Sequence, residues 1–90
     1  MASVIQEELG KLFARDLNFN GALVTILDVR VDEKFEEAHV KLGIIPFEKE
    51  LEAYTIVEGR KRELEHQLLK KMNVKPLPHL KFEIASKGGE

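Results

Sequence analysis

Val4, Ile5, Leu9, Leu12 and Phe13 recur at helical spacing behind Ser3 and Gln6, which have the form of a capping box. The pattern predicts a helix over 3–16 with its apolar face inward. Leu17-Asn18-Phe19-Asn20-Gly21 then predicts a turn, since Asn and Gly favour one. Residues 22–31 (ALVTILDVRV) are β-branched and aliphatic, which predicts a strand covered on both faces at its start. After the polar connection Asp32-Glu33-Lys34-Phe35, Ala38, Val40, Leu42 and Ile44 alternate with Glu37, His39, Lys41 and Gly43. That period of two marks a half-buried strand, so 22–44 reads as a β-hairpin.

Pro46 ends the second strand and suits a helix start. No proline interrupts the Glu-, Lys-, Leu- and Arg-rich stretch from there to Met72. Phe47, Leu51, Tyr54, Val57, Leu64, Leu68 and Met72 fall on one helical stripe, while Gly59 and the mismatched Lys61 predict two helices with a kink near 57–61. A single long helix is the alternative. Asn73 suits a helix end, and Pro76 and Pro78 prevent continuation. Leu80, Phe82 and Ile84 alternate in a final strand, before a frayed tail over 86–90.

The predicted order is helix, strand, strand, kinked helix, helix, strand. Three strands with alternating apolar residues need a helical layer over one face, which gives an α+β two-layer sandwich. The long helical segment supplies the crossover length that parallel pairing of the final strand requires. Ninety residues make one domain, placed at 1–85.

Composition adds exclusions and one asymmetry. The hydrophobic fraction of 43% and charged fraction of 33% are those of an ordinary soluble domain. No apolar run approaches a membrane span, and Met1-Ala2-Ser3 does not open a secretory signal. Cysteine is absent, which removes disulfides and thiolate zinc sites and is compatible with a cytoplasmic location. Residues 1–58 carry six Lys/Arg against twelve Asp/Glu, whereas residues 59–82 carry seven against two. A concentrated basic segment on an acidic chain points to an anionic partner or to a solvated helix face.

Candidate chemistry is sparse. His39, His66 and His79 are scattered over strand, helix and loop without metal-ligand spacing. Asp28, Asp32, Glu33, Glu36 and Glu37 gather at the hairpin end, where a solvated acidic turn is the plainer reading than a cation site or catalytic pair. Ser3, Thr25, Thr55 and Ser86 belong to no nucleophile motif, and no glycine loop for phosphate is present. The five phenylalanines sit at or beside apolar positions and read as core, not as a platform for stacking.

The element order, with a helical pair between strands two and three, is that of type II KH domains. Ile5-Gln-Glu-Glu-Leu9, followed by Leu23-Val-Thr-Ile-Leu-Asp-Val-Arg-Val-Asp32, resembles the first helix and first strand of the ribosome-binding factor A family. That family's strand has the form Phe-Val-Thr-Ile-Thr-Asp-Val-x-Val-Ser. Ala38-His-Val40 resembles its Ala-x-Val opening of strand two, and Pro78-His-Leu80 before Lys81-Phe82 resembles the lead into its strand three. Its helices meet at an Ala-x-Gly kink, for which the nearest candidate is Val57-Glu58-Gly59.

The resemblance implies a non-enzymatic, cofactor-free factor. It would bind the maturing small ribosomal subunit and its ribosomal RNA, assist late maturation notably in the cold, and be a monomer off the ribosome. The basic segment, rather than the resemblance, supplies the candidate RNA-contact residues: Arg60, Lys61, Arg62, Lys70, Lys71, Lys75 and Lys81, with Gly59 beside them at the kink. Gly59 either lets backbone approach RNA or is a tolerated helix glycine. Within the set, Glu58 with Arg62 and Lys61 with Glu65 are expected ion pairs at i,i+4 spacing. A KH-like module engaging a basic partner protein is the competing function, and an enzyme built on the hairpin carboxylates ranks last.

Overall fold

The computed structural model describes residues 2–72 and 77–85. A helix α1 (Ala2–Asp16) leads into a hairpin of β1 (Leu23–Val31) and β2 (Glu37–Ile45). A short 3-10 turn (Phe47–Lys49), α2 (Glu50–Gly59) and α3 (Lys61–Met72) follow, and β3 (His79–Ile84) closes the order. The sheet runs β1-β2-β3, antiparallel between β1 and β2 and parallel between β2 and β3. This is the expected α+β two-layer sandwich of KH type II order, with helices over one face. The expected cap at Asn73, the tail over 86–90 and Lys75 lie outside the described residues.

Three local devices set the frame. Asn20 and Gly21 both hold positive φ, 55° and 93°, and the Ala22 N–H donates to the Phe19 carbonyl at 3.1 Å, which turns the chain from α1 into β1. At the hairpin tip Asp32 Oδ1 accepts the N–H groups of Glu36 at 2.7 Å and Glu37 at 3.3 Å. The acidic cluster thus contains a structural turn residue. The third device is the break between the helices. It falls at Arg60 (φ −109°, ψ 12°), whose N–H still reaches the Val57 and Glu58 carbonyls.

The core lies between the sheet and the helices. Ile5, Leu9 and Leu12 from α1, Val40 and Leu42 from β2, Ala53 and Val57 from α2, Leu64 and Leu68 from α3, and Leu80 and Phe82 from β3 are all buried. Phe13 meets Phe19 edge-on at 5.8 Å between ring centroids and Phe82 at 6.4 Å. Tyr54 donates its hydroxyl to the Phe82 carbonyl at 3.2 Å, and burial, then Glu58, raises its pKa.

Several expectations are corrected. Helix α1 already begins at Ala2, and Gln6 makes no capping box: its amide donates to the Ile26 carbonyl at 3.2 Å. The start of β1 is not covered on both faces. β1 is an edge strand of a sheet whose second face carries no helix among the described residues, so Leu23 is exposed. A bulge between Ile26 and Asp28 turns Leu27 out onto that open face over Gly43, where Leu27 Cδ1 lies 3.2 Å from an added Cβ. Phe47 and Leu51 leave the predicted stripe, at 66% and 74% exposure, and Ala53 takes the buried position instead. The 3-10 turn after Pro46 advances the chain by more than an α-helical step per residue and shifts the phase of α2. Phe35 is also exposed, at the hairpin tip with φ 58°, so only Phe13, Phe19 and Phe82 are core phenylalanines among the five.

Candidate RNA-contact surface

The basic residues divide over three places. Arg60, Lys61 and Arg62 follow one another from the α2–α3 break into the first turn of α3, whose N-terminal dipole adds positive potential. Lys70 and Lys71 lie in its last turn, roughly 12 Å further along the axis. Lys81 stands on the opposite, open face of the sheet, because alternation in β3 sends Leu80 and Phe82 inward and Lys81 outward. The structure therefore brings the α3 residues onto one element and separates Lys81 from them.

Not all of these cations are free for an anion. Arg60 Nε donates to Glu63 Oε1 at 2.7 Å. That hydrogen bond and the accompanying charge raise the guanidinium pKa and draw the Glu63 carboxyl below its ordinary value. Lys61 lies 3.9 Å from Glu58 and Lys81 3.8 Å from Glu37. Arg62, Lys70 and Lys71 are exposed and make no ion pair with any described residue. The two expected i,i+4 pairs do not form. The break at Arg60 puts Glu58 and Arg62 on different helices, and Glu65 turns to β3. Its Oε2 accepts the Leu80 N–H at 2.9 Å and lies 3.8 Å from His79 Nδ1.

Gly59 ends α2 without a positive φ, and a Cβ added there meets nothing within 4 Å. The helix break therefore does not demand glycine at this position. The histidines are less scattered than their sequence positions suggest. His66 and His79 line one cleft between α3 and the segment leading into β3, together with Arg62, Glu65, Leu69 and Leu77. Nothing in the sequence pattern announces this cleft, because it depends on where residues 77–79 return against α3. His39 lies apart on the open face, between Glu83 at 3.1 Å and Glu37 at 3.4 Å. Among the described residues no group of three or more His, Cys, Asp or Glu side chains is placed to hold a metal ion, and no helix is long and apolar enough to cross a membrane.

A mixed three-stranded sheet with β2 and β3 parallel, one helical layer and a broken helix pair before β3 defines a KH-like α+β domain of type II order. The family model "Ribosome-binding factor A" matches residues 1–87, and the chain belongs to that family. Its fold is also that of the crystal structure of ribosome-binding factor A from Thermus thermophilus. The two share a TM-score of 0.70 and 22% identity over 92% of this chain and 85% of that one. No curated protein sequence matches the chain.

Proposed function

We propose that this protein is a non-enzymatic maturation factor of the small ribosomal subunit, one that binds ribosomal RNA on the maturing particle. Membership of the ribosome-binding factor A family over residues 1–87 carries the reading. The exposed Arg62, Lys70 and Lys71 of α3, which pair with no described carboxylate, are cations available to phosphate around that helix. Gly59, Arg60, Lys61 and Lys75 adjoin it in sequence or along the helix, while Lys81 serves a separate contact. The protein acts in the cytoplasm, needs no cofactor and is a monomer off the ribosome, with its contribution greatest in the cold.

Co-sedimentation with purified small subunits tests the reading. Binding is expected at micromolar protein and falls steeply as salt rises, because each phosphate contact releases counterions. Joint reversal at Arg60, Arg62 and Lys71 (each to Glu) is expected to weaken binding by at least about tenfold with the fold intact by circular dichroism. Unchanged affinity would remove the α3 surface from the contact.

A second reading has one observation in its favour. Leu51, at 74% exposure, is flanked along the chain by the exposed carboxylates of Glu48 and Glu52. Such an apolar, acidic surface suits a basic partner protein. Association with subunit proteins that survives ribonuclease would favour this module over direct RNA contact.

A further inference from the structure

β1 leaves one edge of the sheet without a strand neighbour among the described residues. The Ile26 carbonyl points out of that edge, where the Gln6 amide donates to it at 3.2 Å. Alternation along an antiparallel strand turns the Val24 N–H and carbonyl to the same edge, where no described group bonds them. Beside this edge lies a groove of about 400 Å³ between β1 and α1, with an apolar floor of Phe13, Leu17, Val24 and Ile26. Val24 and Ile26 stay half-buried, although their partners Ile44 and Leu42 across the sheet are buried. Helix α1 therefore does not close over the edge. Gly10 and Ala14, one turn apart and exposed, form the helical wall. Gly10 lies in the helix interior without a positive φ, and an added Cβ would meet nothing within 4 Å. Glycine there weakens the helix relative to alanine, and the fold does not require it. What it leaves is open space over the groove. One charge at the rim is unpartnered: Glu7, exposed one turn before Gly10, pairs with no described cation. Lys11 faces Glu8 at 3.7 Å and Arg15 faces Asp16 at 3.2 Å.

We propose that this edge accepts an extended, basic segment of a partner protein as a further strand beside β1. One apolar side chain of the segment enters the groove, and a Lys or Arg meets Glu7. The inference goes beyond the RNA reading and uses no residue of α3. A backbone donor and acceptor on an open strand edge are matched by another backbone, while the groove beside them selects the side chain. Gln6 and the bulge between Ile26 and Asp28 end the accepting stretch, so the paired segment is short. RNA finds no free cation at this rim, and residues 1–58, with twelve Asp/Glu against six Lys/Arg, repel phosphate. A second copy of the chain is a poorer occupant. It would bring a second Glu7, its own Lys11 and Arg15 being engaged, and a second bulged edge that twists away from pairing. Charge and edge chemistry together favour a basic strand from another protein.

The full chain is titrated with a labelled heptapeptide of alternating Lys and Val. Anisotropy gives affinity, and NMR follows the backbone amides. Saturable shifts are expected at Gly10, Ala14, Val24 and Ile26, with slowed hydrogen exchange at the Val24 amide. The fully N-methylated peptide, which has no backbone donor, is expected to bind at least about tenfold more weakly. The peptide with Glu in place of Lys should also bind more weakly. Gly10→Leu fills the groove with a better helix former and is expected to weaken the peptide by at least about tenfold with the fold intact by circular dichroism. Gly10→Ala stabilises the helix without filling the groove and should bind nearly as the parent does. Equal affinity for Gly10→Leu and the parent chain overturns the proposal. So does equal affinity for the N-methylated peptide, or shifts confined to α2 and α3. Sedimentation equilibrium and labelled hexauridylate test the other occupants. Self-association that Gly10→Leu abolishes would assign the edge to a second copy, and hexauridylate shifting the same amides would assign it to RNA. Either result overturns the assignment to a partner protein.

Discussion

Glu65 reaches from α3 to the backbone N–H of Leu80, a residue with no exposed surface. A buried N–H that loses its acceptor costs more than the bond itself contributes, because no water replaces the partner. Glu65→Ala is therefore expected to lower unfolding free energy in urea by about 1–3 kcal/mol, whereas Glu65→Gln keeps an acceptor and should lose clearly less. Equal losses would show that packing, and not the hydrogen bond, holds the lead into β3. The same residue explains why an expected ion pair is missing. Spacing placed Glu65 beside Lys61, but a backbone donor from another element is the more demanding partner, and Lys61 turns back to Glu58. Local spacing cannot reveal such long-range competition.

At the scale of elements, the helix break separates conformation from chemistry. Gly59 has room for a Cβ and an ordinary backbone, so Gly59→Ala is expected to preserve the fold and to raise stability by about 0.5–1 kcal/mol, the usual gain for a helical site. If subunit affinity then falls while stability rises, the glycine serves close approach of RNA; if affinity holds, it is a tolerated helix residue. The order of elements was legible in the chain because α1 keeps a period of 3.6 and β2 and β3 a period of two, while Gly59 and Lys61 interrupt the stripe between α2 and α3. The phase of α2 was not legible. The 3-10 turn after Pro46 rotates the stripe, so the large Phe47 and Leu51 leave the core and the small Ala53 enters it. The β1 bulge was equally hidden, since an unbroken aliphatic run gives no sign of which residue is extra.

For the whole molecule, the candidate site divides between what composition shows and what only the fold decides. The cations of 60–71 are visible as a charge excess, but alternation in β3 sends Lys81 to the opposite face and Glu63 occupies Arg60. The cleft beside His66 and His79 exists only once the chain has returned to α3. That return also shapes how the sheet is completed. β2 pairs with β1 through a short hairpin, but its other edge waits for β3, with Glu37 meeting His79 across the whole helical segment. Contacts so distant along the chain close late, after local ones form. Leu80→Ala should therefore mainly accelerate unfolding, while Val40→Ala in the central strand should also slow refolding; stopped-flow chevron arms distinguish the two. Equal slowing of refolding by both would place β3 in the folding nucleus. During synthesis the same topology leaves a half-built sheet with an unpaired strand edge until residues 79–84 emerge. A chain stalled before that point presents the kind of edge on which other nascent strands aggregate.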